Sequence, residues 1–158
     1  AGAGLWISGL VSAAAVAFMT KQTLAMAASA ESQAKMREQL GRAAVLALLP
    51  RTIGEARAFT ALGVTAGICE EILYRGFLLW YVAHFADRPV AAIVAVLAFG
   101  IAHAYQGMAG IVKSSLFAAI AMALYLLTGS LLAPMVLHAA LDVGSGRTAR
   151  HALAGAAV

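Results

Sequence analysis

Residues 58–85 read AFTALGVTAGICEEILYRGFLLWYVAHF, a long apolar run interrupted by Glu70, Glu71 and Arg75. Its length exceeds the roughly 20 helical residues that cross a hydrocarbon core about 30 Å thick. An ionisable side chain at that depth costs at least about 2.5–3.5 kcal/mol on insertion scales. Three such residues within a few positions therefore need a compensating structure. Glu71 and Arg75 are four apart, so on a helix they lie one turn apart on one face and can neutralise each other. Glu70 is rotated about 100° from Glu71 and has no partner in its own helix.

Working outward, the chain keeps the same character. Of its 158 residues 63% are hydrophobic and only 11% charged, with mean hydropathy +0.88. A soluble domain carries about 25% charged residues, so lipid is the expected surroundings of most of this surface. Leu5 to Ala28 reads as a span whose Lys21 reaches a headgroup layer, and residues 31–42 as a solvated helix. Residues 43–49, between Arg42 and Pro50-Arg51, are too short to span and read as an interfacial helix. Asp87-Arg88-Pro89 marks a turn, Val90 to Tyr105 a further span, 106–110 a loop, and Ile111 to Thr128 another span. Gly129-Ser130 is a tight connection, Leu131 to Val143 a short, re-entrant or spanning segment, and Gly144–Arg150 a polar, basic tail. The expected fold is an all-α polytopic transmembrane bundle with about five spanning or re-entrant apolar segments and a short interfacial helix. Its divisions are 1–42 (N-terminal span and solvated helix), 43–146 (the core) and 147–158 (the basic tail).

The net charge of +4 does not point to nucleic acid. Six of the eleven basic residues (Lys21, Lys35, Arg37, Arg42, Arg51 and Arg57) fall in one stretch between apolar segments, as in a cytoplasmic loop. With 20–57 inside, alternating spans place 87–89 outside and the tail, with Arg147 and Arg150, inside. The single cysteine, Cys69, excludes an internal disulfide and any multi-cysteine metal site.

Two further apolar segments carry ionisable groups: His103, and His138 with Asp142. His138 and Asp142 are one turn apart on one face, as are Phe99 and His103, so Phe99 is read as packing that fixes the His103 ring. Glu70, Glu71 and Asp142 contribute −3 and Arg75 +1, leaving −2 with both histidines neutral. A low-dielectric pocket does not hold −2 uncompensated. A protonated carboxyl, a protonated histidine or a divalent cation would each balance it, and all three belong to proton-transfer or metal chemistry. Carboxylate with imidazole supplies a general base. The other intramembrane chemistries lack their residues. There is no H-E-x-x-H, no serine in G-x-S-x-G context, and only one aspartate within a span. Glu71–Arg75 taken alone also reads as a structural ion pair, and His103 alone as a histidine bonded to a carbonyl. The joint occurrence on three segments is what raises them to a site.

Glu70-Glu71-Ile72-Leu73-Tyr74-Arg75 is E-E-x-x-x-R, Phe99 to His103 is F-x-x-x-H, and His138 to Asp142 is H-x-x-x-D. In that order they resemble the CAAX prenyl protease and bacteriocin-processing (Abi) family of intramembrane peptidases, over roughly residues 43–146. The resemblance implies a site below the membrane surface in which Glu70 with His103 activates water and Glu71 pairs with Arg75. His138 and Asp142 then stabilise the oxyanion; the family's third motif ends in Asn or Asp, and where an amide donates directly, an ionised Asp142 only accepts and would act by orienting His138, unless it is itself protonated. It leaves the cofactor open between none and a divalent metal such as zinc, for which Glu70, His103 and His138 would be the ligands. The implied partner is the bilayer; the chain's size and alanine richness point to a bacterial plasma membrane, and with it to a peptide or membrane-protein segment as substrate. A non-catalytic immunity or chaperone-like module of the same fold, or a cation-coupled transporter, would use the same buried groups. The inverted repeats with broken helices expected of a transporter are not found in this chain.

Overall fold

The computed structural model describes residues 2–41 and 46–154. Helix α1 (Gly2–Ala28) is followed by α2 (Ala30–Gly41) and α3 (Ile53–Glu71). A π-helical stretch, Ile72–Leu78, then carries the same rod into α4 (Leu79–Val82). Helices α5 (Arg88–Ala102), α6 (Met108–Thr128) and α7 (Leu132–Leu153) complete an all-helical bundle, and the described residues contain no strand.

What packs inside is small and what faces out is large. Ala91, Ala95, Ala118, Ala121, Ala133, Ala149 and Ala152 are buried, while Trp6, Leu10, Phe18, Leu62, Trp80, Ile93, Leu116 and Leu127 are exposed. In water that arrangement would be inverted. In lipid, where apolar side chains gain nothing by hiding from solvent, helices associate through small residues that let backbones approach. Among the described residues two helices, Trp6–Ala25 and Met108–Thr128, are long and apolar enough to cross a membrane.

Local chemistry sets the helix ends. Thr52 caps α3: its hydroxyl accepts from the Glu55 N–H while the Glu55 carboxylate accepts from Arg51 and Thr52 N–H groups, a capping box. Asp87 caps α5 by accepting from the Val90 N–H, with Pro89 in the first turn where its missing N–H costs nothing. Gly129 closes α6 at φ 65°, the left-handed position that glycine occupies without strain.

Three expectations change. Residues 144–150 are not a tail: α7 continues to Leu153 with Gly144, Gly146, Ala149 and Ala152 buried. Its glycines are packing notches. A Cβ on Gly144 would meet the Met19 side chain, and one on Gly146 would meet Phe59. For the same reason Leu131 to Val143 is not a short segment but the first part of this helix. The expected interfacial helix over 43–49 is represented by a single 3-10 turn, Leu46–Leu48, and its first residues lie outside the described ones. The solvated helix is present as α2 and is tied to the end of α7, where the Arg37 guanidinium donates to the Ala152 carbonyl at 2.9 Å.

Candidate active site

The α3–α7 contact brings the site together. α3 carries Gly63 and Gly67 one turn apart, and both press on α7. A Cβ on Gly63 would lie 2.8 Å from Asp142 Cβ, and one on Gly67 would lie 2.7 Å from the Ala139 nitrogen. With Phe59 seated on Gly146, the antiparallel register is fixed, and one turn past Gly67 the Glu70–Glu71 pair falls opposite His138. This G-x-x-x-G is a legible helix-contact signal, and the motif reading passed over it. Phe117 and Ala118 on α6, which also touch the site, carry no such signal.

Glu71 is the hub. Its Oε1 accepts from Arg75 Nη1 at 2.8 Å and from His138 Nδ1 at 2.9 Å, and all three side chains are buried. Arg75 spends a second donor on the Ala118 carbonyl at 3.0 Å. Its guanidinium carbon also lies 4.9 Å from the centre of the Phe99 ring and 5.9 Å from that of Phe117, attractive placements for a desolvated cation. The π-helical stretch begins immediately after Glu71, and the Leu79 N–H bonds five residues back to the Tyr74 carbonyl. Such widened turns recur at functional sites.

An ionised Glu71 can only accept, so His138 donates to it from Nδ1 and turns Nε2 away. That nitrogen faces two carboxylates, Glu70 Oε2 at 4.0 Å and Asp142 Oδ2 at 3.8 Å. Both gaps are too long for a hydrogen bond and suit one intervening water. Glu70 Oε2 is buried without a partner among the described residues. The Glu70 side chain as a whole is 33% exposed and that of Asp142 39%, so the space between them opens outward.

His103 sits one step further away. Its Nδ1 bonds to the Phe99 carbonyl at 2.8 Å and its ring stacks on Phe99 at 4.6 Å. The Phe99 ring also touches His138, at 5.7 Å. Glu70, His103 and His138 all lie within electrostatic reach of the Asp142 carboxyl. The structure thus gathers every residue singled out in the sequence into one region. It gives no direct hydrogen bond between His103 and Glu70. The zinc set proposed from the sequence does not fit: among the described residues no three His, Cys, Asp or Glu side chains converge to hold a metal ion.

The family model "type II CAAX prenyl endopeptidase Rce1-like" matches residues 52–144, from the cap of α3 to just beyond Asp142. The chain belongs to this family. No curated protein and no solved structure matches it. The Rce1-like family is one of membrane-embedded CAAX-type proteases, which accords with the lipid-facing exterior. The matched residues contain all three motifs.

Proposed function

We propose that the chain is an intramembrane endopeptidase in which Glu70 activates the attacking water. The observation that carries this is the buried, unpartnered Glu70 Oε2 set 4.0 Å from His138 Nε2. A water in that gap donates a proton to Glu70 as its oxygen attacks the scissile carbonyl carbon. The tetrahedral intermediate collapses with cleavage of the C–N bond, and Glu70 returns the proton to the leaving amine. Glu71, held by Arg75, fixes the His138 ring from Nδ1, so Nε2 when protonated donates to the developing oxyanion. Asp142 orients that donor, and His103, stacked on Phe99, completes the polar wall of the pocket. The substrate is a peptide or membrane-protein segment reaching the site from the bilayer, and the protein is multi-pass in a bacterial plasma membrane.

The test is cleavage of a quenched peptide library by protein reconstituted in liposomes, wild type beside Glu70→Gln. Gln keeps the shape and removes the base, so turnover falls by about 10²–10⁴-fold while insertion and melting temperature stay unchanged. Turnover of Glu70→Gln within tenfold of wild type refutes the assignment.

A further inference from the structure

Two cavities away from the catalytic residues share one wall. The first is an apolar groove of about 450 Å³ between α1, α3 and α7. Val16, Met19, Val64, Ile68, Met135 and Val136 are among its lining side chains. Thr20 and Thr23 also line it, but each spends its hydroxyl on the carbonyl one turn back, so neither needs a polar partner there. The second, about 480 Å³, lies between the start of α3 and the end of α7 and is lined by Arg57, Thr60, Arg147, Arg150 and His151 with Ile53 and Ala56. Among the described residues no carboxylate lines it. Arg147 belongs to both.

Basic residues in the last turns of α7 would by themselves complement the helix dipole. That reading leaves out Arg57, which reaches the same space from a different helix. Three guanidiniums around one cavity with no acid between them repel one another and present paired N–H donors that match a phosphate. The groove supplies the other half of an amphiphile. It runs along α7 from Leu132 to Arg147, about 22 Å at the helical rise, somewhat more than one leaflet of a hydrocarbon core about 30 Å thick. We propose that this composite site binds an anionic glycerophospholipid, its phosphodiester among Arg57, Arg147 and Arg150 and one acyl chain in the α1–α3–α7 groove. The arginines lie on the side assigned to the cytoplasm, where anionic headgroups concentrate. The bound lipid would join α1 to the α3–α7 pair that carries the catalytic residues.

The test uses the full chain, delipidated in neutral detergent, with binding read by native mass spectrometry and by thermal shift. Dioleoyl phosphatidylglycerol is compared with dioleoyl phosphatidylcholine and with inorganic phosphate. Phosphatidylglycerol should bind saturably, at one per chain, and Arg147→Ala with Arg150→Ala should weaken it about thirtyfold. Val136→Trp, which fills the groove, should weaken phosphatidylglycerol while leaving any protection by inorganic phosphate intact. Because a double variant can lose its fold, the wild type is also titrated with salt, which should erase the preference over phosphatidylcholine. Equal binding of the two lipids, or a preference that survives salt or a folded double variant, overturns the proposal. Protection by inorganic phosphate equal to that by phosphatidylglycerol, unchanged in Val136→Trp, assigns a free-phosphate site instead and equally overturns it. None of these readouts is peptide cleavage, so the result stands apart from the proposed activity.

Discussion

Gly67 on α3 approaches Ala139 on α7 so closely that a Cβ at Gly67 would lie 2.7 Å from the Ala139 nitrogen and 3.0 Å from its Cβ. The obstacle is backbone, which cannot rotate away, so any side chain at this position must push the two helices apart. The consequence is felt one turn on, where Glu71 reaches across to His138.

Gly67→Ala should therefore cost about 1–3 kcal/mol, as overpacking in a filled interior does, and should reduce peptide cleavage by more than the loss of folded protein explains. Gly54→Ala is the control, since its added Cβ would meet only Thr52 Oγ1 at 4.0 Å. Melting in detergent together with turnover per folded molecule decides the matter. A Gly67→Ala protein as stable and active as wild type would mean that this contact does not set the site.

Removing Arg75 should damage the fold far more than removing Glu70. Arg75→Ala leaves the buried Glu71 carboxylate with only the His138 imidazole, removes the extra donor on the Ala118 carbonyl and vacates the space beside the Phe99 and Phe117 rings. Breaking a buried pair in this way typically costs about 3–5 kcal/mol. Glu70→Ala takes away a carboxylate whose buried oxygen has no partner among the described residues, so it should be neutral or stabilising. Unfolding temperatures of the two variants in one detergent give the comparison, and equal or reversed losses contradict the pairing.

How far the site could be read from sequence follows from where its geometry is local. Glu71–Arg75, Phe99–His103 and His138–Asp142 are intra-helix relations, and a four-residue spacing is enough to put each pair on one face. The choice of Glu71 rather than Glu70 as the partner of His138 Nδ1 was not legible, because adjacent carboxylates differ only by rotation about α3. The cross-helix register that decides between them depends on which residue meets which notch: Phe59 on Gly146, Gly63 on Asp142, Gly67 on Ala139. The same notches explain the misread tail. Gly144 and Gly146 weaken a helix by propensity, and only Met19 and Phe59 packing against them shows why the helix continues.

Acid should loosen the start of α3 through Glu55, which lies before the apolar run. Backbone N–H groups of Arg51 and then Thr52 stabilise its carboxylate and hold its pKa below the usual 4.5. A depressed acid contributes stability that is complete above its unfolded pKa and is lost as pH falls through the lower, folded value. The wild type should thus lose melting temperature on acidification below about 4.5. Glu55→Gln, already without the charge, should lose less over the same range. Parallel pH profiles for the two proteins would show that the capping box carries no charge-dependent stability.

Activity should survive removal of metal. A zinc ion held tetrahedrally at about 2.0–2.2 Å needs neighbouring ligand atoms roughly 3.4 Å apart. His138 Nε2 stands 4.0 Å from Glu70 Oε2 and 3.8 Å from Asp142 Oδ2. Among the described residues no three such side chains, His103 included, converge to hold a metal ion. Glu70, His103 and His138 come from three separate segments, no two of them one turn apart on one helix, so tetrahedral placement of that set would depend wholly on packing. The same side chains have complete work without a metal, Glu70 as base and His138 as donor, and a proton shared among Glu70, Asp142 and the histidines offsets the excess negative charge. Purified, active protein should contain well under one zinc per chain by elemental analysis and keep its turnover after dialysis against a strong chelator. Stoichiometric metal that leaves together with activity, and restores it on return, would move Glu70 from base to ligand.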